Sequence, residues 1–376
     1  MKFNVLIIYL TWSACTACGD PEEAPDDGLV FNVPRTETAS GASILDDPTA
    51  DRGGFVGLCE KQQVYCNGEC LADVGDQAGS CTLLQNNIGL ARSIAVDASA
   101  LYYTAANSEI LRMDLASLTH TSLAAGLASP SALVPAGGML YFGNNTDGDA
   151  GSDLRVVSAT SAPEMTVLTE HLDTPFDISS NGDEIFVAAG GFSSGPLYSL
   201  PADGGRWTKH IESDILHFEV SGESLYFTMN TETEDGIFTS TLADPGSYTK
   251  VADGNPTGDP ISRFFVQGSN IYWFASKAAN TSKVFTSVPV TGGTKQDIQI
   301  AGDGILLAHN SKTVFYLDSD VSVEYANIMM LSLSGGEAVS LATVEPNEIQ
   351  AVAADESSVY VALGYIRTGG VLRLDL

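Results

Sequence analysis

The chain has 376 residues, with 17 lysines and arginines against 47 aspartates and glutamates, giving a formal net charge of −30 at pH 7. Such a field repels phosphate backbones and argues against nucleic acid as a partner. It equally disfavours direct adsorption to an anionic membrane surface. Hydrophobic residues at 44% and 37 glycines are typical of a folded, turn-rich chain.

Residues 1–17 have the pattern of an export signal. Lys2 is followed by an apolar run from Phe3 to Trp12, which is shorter than the roughly 20 residues that a membrane-spanning helix needs. Small residues then lead into Cys15 and again into Cys18. This resembles a bacterial lipoprotein signal, in which the cysteine is acylated. A signal peptide cleaved after Ala17 without lipid is the alternative.

We favour Cys18 over Cys15 as the lipidated residue. That choice leaves an even number of cysteines in an oxidising compartment. The resemblance implies an outer-membrane or cell-surface lipoprotein of a Gram-negative bacterium, touching the membrane only through its lipid. A periplasmic or secreted product is the alternative. Residues 18–58 are acidic and rich in Pro and Gly, which predicts a disordered tether.

Residues 59–81 form a cysteine-rich element. Its four cysteines are Cys59, Cys66, Cys70 and Cys81. Zinc is the competing interpretation, but the familiar C-x2-C pairs are absent and exported cysteines are usually oxidised. We therefore predict two disulfides, in one of three possible connectivities. The element resembles a small cysteine module found ahead of repeat domains in bacterial surface lipoproteins.

A short aromatic signature returns seven times in the rest of the chain, at spacings of 39 to 46 residues. Its copies are Leu101-Tyr102-Tyr103, Leu140-Tyr141-Phe142, Ile185-Phe186-Val187, Leu225-Tyr226-Phe227, Ile271-Tyr272-Trp273, Val314-Phe315-Tyr316 and Val359-Tyr360-Val361. Branched and aromatic residues favour strands. Repeats of this length with several strands each predict an all-β fold, a β-propeller, over residues 82–376. The signature is expected to be the second of four strands in each repeat.

The seventh repeat ends after its third strand. Residues 82–86 lie in register with fourth strands elsewhere, so we predict that this segment closes a seven-bladed ring, with six blades as the alternative. Tyr102-Tyr103-Thr104 and Tyr226-Phe227-Thr228 make the repeats similar to YWTD-type and related secreted bacterial propellers. The terminal Asp of that motif is missing, so the resemblance implies the fold and not the receptor functions.

No set of residues in the sequence predicts a reaction. Gly191-Phe192-Ser193-Ser194-Gly195 matches the nucleophile string G-x-S-x-G, but no helix is expected after it. The five histidines (His120, His171, His210, His217 and His309) show no metal-pair spacing. We therefore predict no catalytic residue and no required cofactor. Calcium at Asp147, Asp149 and Asp153 is a weaker possibility, and a solvated acidic loop is its alternative.

The connections between second and third strands are the longest and should emerge on one face. Loops on a rigid framework often carry recognition, and Phe192, Tyr325 and Tyr365 are the candidate contact residues there. The sequence thus predicts an exported module that binds or scaffolds an extracytoplasmic protein or glycan. The alternative is a propeller enzyme, a lyase or hydrolase, with its site at the central channel.

Overall fold

A computed structural model describes residues 64–67, 69–106, 108–145, 152–161, 164–190, 194–230, 235–255, 260–276, 283–300, 304–318, 326–344, 349–365 and 368–376. These residues belong to one compact unit and form thirty β-strands, with no helix among them. Within the same ranges, no helix long and apolar enough to cross a membrane is present. The expected signal peptide, tether and lipidated cysteine lie outside these ranges and stay predictions.

Four short strands precede the repeats. They are β1 (Val64–Cys66), β2 (Glu69–Leu71), β3 (Gln77–Ala78) and β4 (Cys81–Asn86). A disulfide between Cys66 and Cys81 joins β1 to β4. Cys70 is also disulfide-bonded, and Cys59 lies outside the described residues. A disulfide is typical of an oxidising, extracytoplasmic environment.

The repeats build two four-stranded sheets first. The first sheet contains β5 (Ile94–Val96), β6 (Ala100–Ala105), β7 (Glu109–Asp114) and β8 (His120–Ala125). The second contains β9 (Pro130–Ala136), β10 (Met139–Asn144), β11 (Ser152–Ser158) and β12 (Thr166–Leu172). In both sheets, consecutive strands are hydrogen-bonded neighbours and run antiparallel.

The third sheet has seven strands. They are β13 (Pro175–Ser180), β14 (Glu184–Ala189), β15 (Gly195–Pro201), β16 (Thr208–Ser221), β17 (Ser224–Asn230), β18 (Asp235–Thr241) and β19 (Asp244–Asp253). The 14-residue strand β16 pairs with β15 through its first half and with β17 through its second half. The expected fourth and first strands of two repeats are therefore one continuous strand, because neither Gly nor Pro interrupts it.

Three sheets complete the chain. The fourth contains β20 (Phe265–Gln267), β21 (Asn270–Ser276), β22 (Lys283–Pro289) and β23 (Gln296–Gln299), and the fifth contains β24 (Ile305–His309), β25 (Thr313–Asp318), β26 (Ala326–Ser332) and β27 (Val339–Val344). The last contains β28 (Ile349–Ala354), β29 (Ser358–Tyr365) and β30 (Thr368–Asp375), followed by β4 and β3. Together these sheets form a β-propeller-like, all-β fold.

The seven aromatic signatures all lie in second strands, as the sequence predicts: β6, β10, β14, β17, β21, β25 and β29. Phe142, Phe186 and Phe227 are fully buried and Trp273 is 1% exposed. Neighbouring sheets pack on both faces of these second strands and exclude water from them. Burial of one such side chain contributes roughly 1.5–3 kcal/mol. This aromatic layer is the core of each repeat.

The turns that enter these strands use two devices. Asp97 accepts hydrogen bonds from the backbone N–H groups of Ser99 and Ala100, and Asp355 does the same for Ser357 and Ser358. Such Asx turns reverse the chain without glycine. Where the Asx residue is missing, Gly222 and Gly268 stand at φ 63° and 62°, a conformation that favours glycine.

Strand β4 precedes the first repeat in the chain but is hydrogen-bonded in the last sheet. It pairs antiparallel with β30, placing Leu83 opposite Leu372 and Cys81 opposite Leu374. All four of these side chains are completely buried. In addition, first strands of successive sheets lie side by side, β5 beside β9, β9 beside β13, β24 beside β28 and β28 beside β5.

Candidate functional site

The predicted binding face is only partly described. Tyr365 is the last residue of β29 and lies opposite Thr368 in the hairpin to β30. Phe192 and Tyr325 lie outside the described residues. Recognition by these loops stays a prediction.

Of the three predicted calcium ligands, only Asp153 is among the described residues. Both of its carboxylate oxygens accept hydrogen bonds from Arg155, at 2.6 Å from Nε and 2.7 Å from the terminal nitrogen. A cation at Asp153 would have to displace this two-point ion pair. Asp147 and Asp149 lie outside the described residues. Within the described ranges, no group of three His, Cys, Asp or Glu side chains could hold a metal ion.

The G-x-S-x-G string leads into a strand, because Gly195 is the first residue of β15. A Cβ at Gly195 would collide with the carbonyl oxygen of Ala189 on the neighbouring strand. This glycine is therefore required by the close backbone approach in a hairpin, which is a structural role. A nucleophile elbow needs a helix at this point.

The structure brings together an ionisable cluster that the sequence did not reveal. It lies on the first strands of three repeats and consists of Asp177 on β13, His217 and Glu219 on β16, and His309 on β24. Because side chains alternate along a strand, His217 and Glu219 point to the same side of β16. We call these four residues the inner-strand cluster.

His217 connects three consecutive repeats. Its Nδ1 lies 2.7 Å from Oδ2 of Asp177, and its Nε2 lies 3.0 Å from the carbonyl oxygen of Phe264. The same carboxylate oxygen accepts a hydrogen bond from the backbone N–H of Phe218 at 3.2 Å. Both ring nitrogens thus face oxygen acceptors of the protein itself. The His217 side chain is only 8% exposed.

Glu219 makes the next connection along β16. Its Oε2 accepts a hydrogen bond of 2.7 Å from the backbone N–H of Val266 on β20. Burial raises the pKa of Glu219 from 4.5 to about 8, with the charge of Asp177 adding to the shift and the Val266 N–H opposing it. The carboxyl group is therefore protonated over a wide range of acidic and neutral pH.

His309, the last member of the cluster, lies on β24, the first strand of the repeat that follows β20. Its ring stacks on Phe265, with centroids 4.1 Å apart and planes inclined by 13°. Burial lowers the pKa of His309 from 6.5 to about 4, and the charge of His217 lowers it further. His309 is therefore a neutral ring that packs like an aromatic side chain.

The chemistry of the cluster favours cohesion between repeats. A catalytic histidine needs one ring nitrogen directed at a substrate, whereas both nitrogens of His217 bond to protein atoms. Asp177 and His217 are 40 residues apart in the chain, so local spacing could not reveal the pair. Polar residues at alternate positions of β16, within an otherwise apolar first strand, were the available signal.

No family model matches the sequence, and no curated protein matches it. Solved structures do match. Hydrazine synthase of Kuenenia stuttgartiensis shares 15% identity at a TM-score of 0.53, covering 74% of this chain and 94% of that one. The computationally designed Ika8 protein shares 11% identity at a TM-score of 0.51, covering 77% and 98%. At these identities the likeness shows the fold alone.

A nidogen/laminin complex also matches, with 13% identity and a TM-score of 0.45 over 64% of this chain and 91% of that one.

Proposed function

We propose that this protein is an exported, lipid-anchored β-propeller that acts as a binding or scaffold module for a protein or glycan outside the cytoplasm. The anchor would be Cys18, and residues 18–58 would hold the folded part off the membrane. The outer membrane or cell surface is the proposed location. The Cys66–Cys81 disulfide supports export.

The proposed framework is a ring of seven blades closed by β4. Seven second strands carry the aromatic signature, and β16 serves two neighbouring blades. Pairing of β4 with β30 supplies the fourth strand that the last repeat lacks. The contact of β28 with β5 supports a return of the last blade to the first. Such closure would protect the edge of the last sheet.

One observation carries the preference for binding over catalysis: both ring nitrogens of His217 bond to groups of the protein itself. Through these hydrogen bonds, the residues of the inner-strand cluster stabilise contacts between repeats. A rigid framework of this kind positions loops for recognition.

A propeller enzyme, a lyase or hydrolase acting at the central channel, is the second candidate. The raised pKa of Glu219 favours it, because a carboxyl group that is protonated near neutral pH can act as a general acid. Its hydrogen bond from Val266 would have to be exchanged for one to substrate.

Affinity capture from the native envelope fraction tests the proposal. The bait is soluble residues 19–376, and the matched control lacks most of 143–152 and 317–327. A partner held by the intact protein and lost on trimming supports recognition through these loops. If trimming leaves capture unchanged, or if nothing is captured, loop-based recognition is wrong and turnover assays on Glu219→Gln become the next step.

A further inference from the structure

Three repeats share one turn between their third and fourth strands. Each turn contains two consecutive glycines at positive φ, of 93° and 130° at Gly204-Gly205, 79° and 129° at Gly292-Gly293, and 88° and 122° at Gly335-Gly336. In each, the first glycine N–H donates to the carbonyl oxygen three residues earlier, at 2.8 to 2.9 Å. The fourth strand begins three residues after the second glycine in all three.

The residue just before that fourth strand differs between the three turns. It is Trp207 in one, Lys295 in the second and Ala338 in the third. Since Ala338 stands in the same turn, the fold does not require an aromatic side chain at this position. Trp207 is nevertheless 40% exposed, which leaves part of a large apolar surface in water.

Trp207 is held in place by its neighbours. It meets the ring of Tyr198 edge to face, with centroids 4.9 Å apart and planes at 85°. Nζ of Lys209 lies 5.5 Å from the Tyr198 centroid and 3.0 Å from a carboxylate oxygen of Glu212. Tyr198 is 7% exposed, so it anchors the indole against the protein while 40% of Trp207 stays in contact with solvent. An aromatic surface fixed in this way loses little side-chain entropy on binding.

Arg206 adds a free positive charge beside this ring. Among the described residues it makes no hydrogen bond or ion pair, whereas Lys209 is paired with Glu212. Arg206, Trp207, Thr208 and Lys209 line a surface cavity of about 580 Å³. Arg206 and Lys209 are the one place in the sequence where two of its 17 cations stand within four residues.

We propose that Arg206 and Trp207 form a binding site for an acidic polysaccharide, which deepens the proposed function by naming its ligand class. The C–H face of a uronic acid ring stacks on the indole, whose face is negatively polarised. The carboxylate of the same sugar, or of its neighbour, pairs with the guanidinium of Arg206, which suits the planar geometry of a carboxylate. The nearby Glu212 is paired with Lys209, and acids farther than about 8 Å away are screened at physiological salt.

The surroundings favour a glycan over a protein partner. A stable protein interface buries about 800 Å² on each side and contains several adjacent anchors. The described large hydrophobic residues that are exposed, namely Val74, Leu118, Val167, Trp207, Val339 and Leu376, are few, and Trp207 alone among them lines this cavity. Among the described lining residues, one aromatic platform stands beside one unpaired cation, a combination that suits a sugar ring carrying a carboxylate.

Isothermal titration calorimetry on the full-length protein tests the site. The probes are short oligomers of galacturonic, glucuronic and mannuronic acid, each beside its methyl ester, which keeps the rings and removes the charge. We expect acidic oligomers to bind, esters to bind about tenfold more weakly, and Trp207→Ala to abolish binding. Arg206→Gln should remove the preference for the acid. Lys312→Gln, which removes an exposed positive charge elsewhere, should leave binding unchanged.

Folding is checked on the same samples, and Trp207→Ala should lower the melting temperature by only a few degrees, because it loses little more than the contact with Tyr198. Equal weakening by Lys312→Gln, or equal binding of a polyglutamate peptide, would reduce the site to nonspecific charge and overturn the proposal. No binding of any oligomer would also overturn it. If the envelope capture still finds a loop-dependent partner in that case, the proposed binding function stands and only the glycan site fails.

Discussion

Nδ1 of His217 and Oδ2 of Asp177 lie 2.7 Å apart and join the first strands of two consecutive repeats. Replacing His217 by glutamine should lower the free energy of unfolding by about 2 kcal/mol, because the largely buried Asp177 carboxylate loses its histidine partner and keeps the hydrogen bond from Phe218 N–H. Urea denaturation measures this change. His120→Gln is the matched control, since His120 is exposed and bonds only Tyr103 among the described residues. Equal effects of the two substitutions would mean that the inner-strand cluster adds no cohesion.

Glu219 should make stability fall as the pH rises. Its pKa in the folded protein, about 8, lies above the ordinary value of 4.5. The protonated carboxyl is therefore the form the fold prefers. Its contribution is fully present below about pH 4.5 and is lost as the pH rises through 8. Glu219→Gln keeps an oxygen for the Val266 N–H and cannot ionise.

The Glu219→Gln variant should consequently gain stability relative to the wild type between pH 5 and 9, by roughly 2 kcal/mol at the alkaline end. This figure is reduced from the full linkage because the side chain keeps partial contact with solvent. Melting temperatures across this pH range provide the measurement. Parallel curves for the two proteins would show that Glu219 ionises normally.

His309 should act in the opposite direction. Its pKa in the folded protein, about 4, lies below the ordinary 6.5, chiefly through burial. Its contribution is fully present above about pH 6.5 and is lost as the pH falls through 4. His309→Phe preserves the stacking on Phe265 and cannot take a proton, so its melting temperature should depend less on pH between 6.5 and 4. A slope equal to that of the wild type would contradict the assignment.

The strands could be predicted from the sequence because their signals are local. Leu225-Tyr226-Phe227 follows a glycine turn and belongs to one strand, so a few residues determine it. The inner-strand cluster depends instead on partners 40 to 47 residues apart. Which repeats become neighbours, and which side chains then meet, follows from tertiary packing. The Trp207 site could not be predicted for another reason, since the exposure of the indole and its contact with Tyr198 are properties of the folded turn.

Strand β4 should be essential for stability. Residues Cys81, Leu83 and Leu84 are at most 1% exposed, and β4 supplies the outer partner of β30. Deleting residues 80–86 should therefore lower the melting temperature by more than about 10 °C, since several buried side chains, one whole strand pairing and the Cys66–Cys81 disulfide are lost. Circular dichroism follows the transition. A deletion of residues 20–26, within the predicted tether, is the control, and a similarly small effect of both deletions would contradict closure.

Closure of the ring is the claim on which the rigid framework, and therefore recognition by its surface, depends. Amide hydrogen exchange of the full-length protein tests it most directly, because a strand that only frays against the last sheet exchanges far faster than one that closes a ring. We predict that amides of β4 and β30 are protected as strongly as those of β29 and are lost together in one cooperative opening. Rapid exchange of β4, with β29 and β30 still protected, would show that the ring is open.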